Sequence, residues 1–184
     1  MNLSNAQIEK LITGKSISEE WPWSTNNEAT VDNHIKDIIY EVRRKMRLLD
    51  KTEYGHYGSG YASYVDSWLY RNDEKFRLGA GNNFVGMVVL FSRLSKFYVA
   101  GEGAKTWTSE ESSSYLVNFD FVDKFQYSPT RNIANDVCSL LESRGLTRLF
   151  AHDLSEVLPG DINIPTILSE PPYRHFDALY YWED

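Results

Sequence analysis

Val31, Ile35, Ile38, Ile39, Val42, Met46 and Leu49 recur at intervals of three and four residues. That period puts them on one face of an α-helix as an unbroken apolar stripe. The spacing predicts a helix over residues 26–49, with Thr25 and Glu28 at capping-box separation at its start. At about 1.5 Å per residue it is roughly 36 Å long. A stripe of that length must be covered by a broad apolar surface. The strand-like segments downstream supply one.

There the period changes from 3.6 to 2. In "YASYVDSWLYR" (61–71), Tyr61, Ser63, Val65, Ser67 and Leu69 alternate with Ala62, Tyr64, Asp66, Trp68 and Tyr70. This reads as a strand with its aromatics on one face. "NFVGMVVLFSR" and "KFYVAG" read as a hairpin joined by "RLS", and "SYLVNFDFV" (114–122) as a further strand. A short first helix is marked by Ser4 and Gln7 at its start, Ile8, Leu11 and Ile12 on one face, and Gly14 at its end. A last helix over 129–144 has Ser128 as cap, Pro129 at its first position, Ile133, Val137, Leu140 and Leu141 as stripe, and Gly145 as stop. "TRLF" and "INIPTIL" read as extended. In "FDALYYWED", alternation puts Phe176, Ala178, Tyr180 and Trp182 opposite Asp177, Leu179 and Tyr181, the pattern of a strand tied into the sheet, either as core or with an edge that also faces a partner. The whole chain, 1–184, is expected to be one α+β domain: a mainly antiparallel sheet packed against a long amphipathic helix, with two further helices.

A chain of 184 residues buries roughly 70% of its unfolded surface and needs no staples. Its one cysteine, Cys138, rules out an internal disulfide and fits a reducing compartment. The longest apolar run, around "FVGMVVLF", is far short of a membrane span, and the first residues lack the pattern of a secretory leader. A cytoplasmic location is expected. The formal charge is −7, from 26 acids against 19 bases. Such a surface repels nucleic acid and acidic membranes and steers basic partners toward it.

Catalytic and cofactor motifs are missing. "YVAGEGAKTW" (98–107) and "GAGNNFVG" (79–86) lack phosphate-loop and dinucleotide spacing, and read as turns. His34, His56, His152 and His175 are scattered without metal-ligand spacing, so neither metal nor cofactor is expected. Cys138 sits within the amphipathic last helix, where a structural thiol belongs. The bases of "EVRRKMR" (41–47) complement the dipole at a helix end. More suggestive is the loop "YGHYGSGY" (54–61), flexible and aromatic, just before the strand that carries Asp66. A carboxylate among Tyr64, Trp68 and Tyr70 is either a general base or an acid on a recognition surface.

The layout "YVDSWLYR", then "FVGMVVLFSRLSKFYVAGEG" and "KTW", then the terminal "FDALYYWED" resembles small bacterial immunity proteins, over about residues 60–184. The resemblance implies a non-catalytic cytoplasmic protein that binds and neutralises a toxin, the partner being a basic toxin domain. The contact residues expected from loops and the aromatic strand face are Tyr57, Asp66, Trp68, Glu102 and Trp107. The alternative is a small-ligand-binding protein or enzyme with a pocket near His56, Asp66 and Trp68.

Overall fold

The structure is a computed structural model that describes residues 3–79, 81–107 and 112–184, without the side chains of Trp107, Ser112 and Ser113. Helix α1 (Asn5–Ile12) opens with the expected capping box, each of Ser4 and Gln7 accepting the other's backbone N–H. The long helix, α2 (Glu28–Met46), is shorter at both ends than the expected 26–49. Its cap is Asn27, whose Oδ1 accepts the Thr30 N–H at 2.9 Å, not Thr25. At the other end Arg47 turns left-handed, with φ 53°, and the chain passes directly into β1 (Leu49–Glu53). Leu49 is therefore an exposed strand residue and Leu48 takes the buried place.

Beyond β1 come β2 (Tyr61–Ala62), β3 (Tyr64–Tyr70), β4 (Asn83–Ser92), β5 (Phe97–Trp107) and β6 (Ser112–Ser114). Then follow α3 (Ser128–Ser143), β7 (Thr147–Arg148), α4 (Ala151–Leu154), α5 (His175–Leu179) and β8 (Trp182–Glu183). The main sheet runs β1-β3-β4-β5-β6, all antiparallel, with β7 added parallel to β5. This is the expected α+β architecture. The single strand predicted for 61–71 is broken at Ser63, and β2 pairs with β8 in a separate ribbon.

Both long helices cover one face of the sheet. Arg43 of α2 pairs with Asp50 at 3.0 Å, Lys36 lies 4.6 Å from the Tyr54 ring, and the Tyr98 hydroxyl donates to the Cys138 carbonyl of α3. Glu41 bridges α2 to Arg144 just past α3; hydrogen bonds from Arg144 and Lys45 hold its carboxyl down at about 2. The stripe residues Val31, Ile35, Ile38, Ile39 and Val42 are all buried in this layer.

The opposite face carries Tyr64, Asp66, Trp68 and Tyr70, as alternation requires. Two register partners, Gly86 and Gly103, leave a trough across it. A Cβ on Gly86 would stand 2.5 Å from Trp68 Nε1, and one on Gly103 2.3 Å from the Tyr115 ring. Only bare backbone lets the indole lie flat and donate its N–H to the Gly103 carbonyl at 2.8 Å. "YVAGEGAKTW" is thus mid-strand in β5, not a turn: Gly101 and Gly103 alternate onto one face so that rings can cross. The segment predicted as a strand over 114–122 is a regular strand only as far as Ser114 and meets β5 again in a single bridge, Val122 to Gly101. Beyond that it crosses this face, with Tyr115 over Gly103 and Phe121 over Gly101.

Residues 175–181 also depart from the period-2 reading. His175–Leu179 form one helical turn, α5, started by the Arg174 N–H donating to Asp177 Oδ2 at 2.6 Å. Phe176, Ala178, Leu179, Tyr180 and Tyr181 are all buried, so no solvent face exists for alternation to mark. Only Trp182 and Glu183 pair as a strand.

One buried cation ties the parts together. Arg93, at the end of the β4 hairpin arm, donates Nε and Nη2 to the Asp32 carboxylate at 2.9 and 3.0 Å. Its other N–H groups reach the carbonyls of Ala62, Tyr64 and Tyr54. No helix among the described residues is long and apolar enough to cross a membrane.

Ile38→Ala should cost about 2–5 kcal/mol in denaturant unfolding, as expected of a large-to-small change at a closed core position. A loss under about 0.5 kcal/mol would place the stripe outside the core. Deleting residues 176–184 should abolish cooperative unfolding, because it removes buried side chains worth roughly 1.5–3 kcal/mol each. An unchanged melting temperature would show that α5 and β8 are dispensable.

Candidate binding site at Asp66

Asp66 lies in the middle of β3, turned away from the helices and only 3% exposed. Its oxygens are held by two tyrosines from outside the strand. Tyr115 donates its hydroxyl to Oδ1 at 2.6 Å and Tyr57 to Oδ2 at 3.0 Å. A third hydroxyl, Tyr64, is buried beside that of Tyr57 without a hydrogen bond of acceptable geometry. Lys105 sits on the same face, its ammonium 4.8 Å from the Tyr115 ring and 5.9 Å from Trp68. Among the described residues no cation lies within ion-pair distance of Asp66. Burial raises the Asp66 pKa against the opposing pull of Tyr115, Lys105 and Tyr57. Burial also lowers the Lys105 pKa and raises those of Tyr57, Tyr64 and Tyr115.

Above the carboxylate a cleft of about 210 Å³ opens to solvent. Its floor is Asp66 with the three tyrosines, and its rim is Leu116, Leu168 and Trp182. Tyr57 reaches it through an unusual backbone. His56 and Tyr57 are consecutive left-handed residues, with φ of 53° and 57°. Each costs roughly 1–2 kcal/mol without glycine's freedom. The loop is clamped from above: Trp182 donates its indole N–H to the Ser59 carbonyl and lies 4.8 Å from the Tyr57 ring. Gly60 runs so close beneath β8 that a Cβ would meet the Glu183 carbonyl at 1.8 Å.

The same loop sends His56 the other way. Its Nδ1 accepts the Ala62 N–H at 2.9 Å, so the neutral ring carries its proton on Nε2, facing Glu28 at 2.9 Å. Here a larger cavity, about 430 Å³, is bordered by Glu28, Asn27, Tyr61, Arg93 and Glu183. The Tyr61 hydroxyl is pushed up to about 12, chiefly by burial. Arg93 spends its N–H groups on protein acceptors and serves here as frame.

Tyr57 and Asp66, two of the residues expected to meet a partner, are hydrogen-bonded to each other. Trp68 is 0% exposed, stacked on Tyr70 at 4.3 Å, and cannot touch a partner. Glu102 lies on the helix-covered face, where it accepts the Tyr127 N–H and the Thr130 hydroxyl at the start of α3. That is a structural post. The Trp107 side chain lies outside the described residues. Of the residues expected to share a pocket, only Asp66 lines the cleft; Trp68 is sealed and His56 turns to Glu28 and Arg93.

Tyr115, Leu116, Leu168 and Trp182 complete the cleft without having been singled out. The available signal was the Gly101–Gly103 alternation, which announces a ring crossing the strand. Cys138 is buried, its thiol pKa raised by desolvation. No group of three metal-ligating side chains is assembled among the described residues. No family model, no curated protein and no solved structure matches the chain.

A carboxyl whose folded pKa is raised binds its proton more tightly in the native state than in the unfolded one. Its contribution to stability therefore falls as pH rises from the unfolded value, about 3.9, through the folded value. Asp66→Asn removes that penalty. The variant should melt higher than the parent at pH 7–8, with the advantage shrinking toward pH 3.5. A variant that melts lower at neutral pH would show that the carboxylate is a net support.

Proposed function

We propose that the chain is a non-catalytic cytoplasmic binding protein of the bacterial immunity class, which neutralises a toxin by docking a basic protein surface over the Asp66 cleft. The supporting observation is the cleft's surroundings. Leu116 is 79% exposed and Ile167 58%, and Ile167 is fixed beside the cleft by donating its N–H to the Trp182 carbonyl. Exposed apolar side chains around a buried polar centre are the makings of an interface core, with tyrosine and tryptophan as anchors. The −7 charge and the carboxylate at the centre select a basic partner. Neither histidine nor cysteine is among the described residues that line the cleft.

The second reading, a small-ligand site or enzyme, is favoured by one observation: a carboxyl with raised pKa among tyrosine hydroxyls has the character of a general acid–base.

Affinity capture from the source cell tests the proposal. The parent should retain a basic protein that Leu116→Glu and Ile167→Glu lose. Trp21→Glu, at an exposed tryptophan in the turn before α2, should keep it. Retention should weaken at high salt. The captured protein, expressed alone, should be toxic, and co-expression of this chain should rescue growth. Capture indifferent to both Glu variants, or a captured protein without toxicity, would overturn the reading.

A further inference from the structure

The Asp66 cleft is chemically unfinished. An ionised carboxylate offers about four acceptor positions, and the tyrosines Tyr57 and Tyr115 fill two of them. The adjoining Tyr64 hydroxyl, 1% exposed, has a free acceptor oxygen. The unmet demand is therefore for N–H or O–H donors, more than one, arriving together. The walls narrow the choice. The rings of Tyr57, Tyr115 and Trp182 line the opening, and aromatic faces attract cations. Leu116 and Leu168 at the rim suit an alkyl stem. About 210 Å³ holds one long side chain and falls below the roughly 300–1,000 Å³ of drug-sized ligand sites. Lys105 already rests on the Tyr115 and Trp68 rings, yet stays out of ion-pair range of the carboxylate.

We infer that the cleft is a socket for a single basic side chain, lysine or arginine, inserted by the docking partner with its cationic head on Asp66 and its stem between Leu116, Leu168 and Trp182. This deepens the proposed function and rests on it. An arginine would place its planar fork across Asp66 and Tyr64; a lysine would place a point charge there. The charged and titratable groups facing the socket are Tyr57 from the loop, Lys51 and Glu53 from the edge strand β1, Tyr64 from β3, and Lys105 and Tyr115 from β5 and its crossing segment. The tyrosines stay neutral below their raised pKa values, so Asp66 governs the pH response. A bound cation favours the carboxylate, so affinity rises with pH through the titration of Asp66 and then levels off.

The probes are Nα-acetyl-arginine amide, Nα-acetyl-lysine amide and the uncharged Nα-acetyl-norleucine amide, followed by NMR shifts of the Tyr57 and Tyr115 rings in the intact chain. The expected result is saturable binding of a cationic probe, roughly millimolar. Norleucine amide should bind at least tenfold more weakly, and the Tyr40 ring, exposed on α2, should not shift. Asp66→Asn, its fold checked by an otherwise unchanged spectrum, should lose the preference. Tyr115→Phe, which keeps the carboxylate, should retain it. Norleucine binding as well as arginine, or Asp66→Asn binding as well as the parent, would overturn the socket. If capture of a basic protein survives Asp66→Asn while no cationic probe binds, the socket falls and the binding-protein reading stands. If the probes bind as expected while no protein is captured, the cation site stands and the protein-partner reading falls.

Discussion

A guanidinium in the interior organises this fold. Arg93 brings together α2 through Asp32, the loop after β1 through Tyr54 and His56, and the β2–β3 bend through Ala62 and Tyr64. A buried ion pair is a poor source of net stability, because desolvation consumes most of the attraction. Its value here lies in geometry. Five fixed N–H directions must each find an acceptor, and breaking one side strands a charge at a cost of about 3–5 kcal/mol. The long helix is therefore held in one register on the sheet. A purely apolar stripe would tolerate small slips.

That constraint also explains the break at Ser63. The Arg93 backbone N–H donates to the Ser63 carbonyl, and Ser63 exchanges hydrogen bonds with the Tyr181 backbone and donates its hydroxyl toward Leu179. Ser63 is where the main sheet hands over to the ribbon that carries residues 181–183. In the sequence it is one more alternating position in "YASYVDSWLYR", and no local signal separates it from Ser67. What was legible there depended on backbone period alone: the α2 stripe, the aromatic face of β3, the β4–β5 hairpin. What was not legible depended on partners distant in the chain. "FDALYYWED" alternates in sequence, yet forms a helical turn because every side is enclosed. Gly101 and Gly103, which looked like a turn, are ring-crossing points, as is Gly86, and their meaning comes from Phe121, Tyr115 and Trp68.

The candidate site was half legible for the same reason. Asp66 among aromatics stands out within one strand, and the Tyr57 loop is conspicuous for its glycines. Nothing local says that Tyr57 and Asp66 touch, or that Trp68, their neighbour in composition, is sealed beneath the sheet surface. Nor does sequence show that one loop serves two spaces. His56 turns to Glu28 and Ala62 while Tyr57 turns to Asp66, and both residues adopt left-handed backbone. Strain of this kind persists only where surrounding contacts enforce it. Here the Arg93–Ala62–His56 cluster enforces it on one side and Trp182 on the other.

The electrostatics of the two centres differ in a way that separates frame from site. Arg93 is surrounded by acceptors until nothing remains unmet, and its charge is matched at contact distance by Asp32. Asp66 receives two neutral donors and no contact cation among the described residues, in a chain that is already acidic. Tyrosine hydroxyls stabilise a carboxylate partly, without cancelling its charge, and burial raises the Asp66 pKa in spite of them. A residue placed for the fold alone would be completed as Arg93 is. Lys105, the obvious internal counter-ion, is engaged with rings instead of with the carboxylate. The deficit lies at the floor of an open, apolar-rimmed cleft, where a group from outside the chain can meet it. The incompleteness of Asp66, set against the completeness of Arg93, is the physical ground for placing recognition on this face of the sheet.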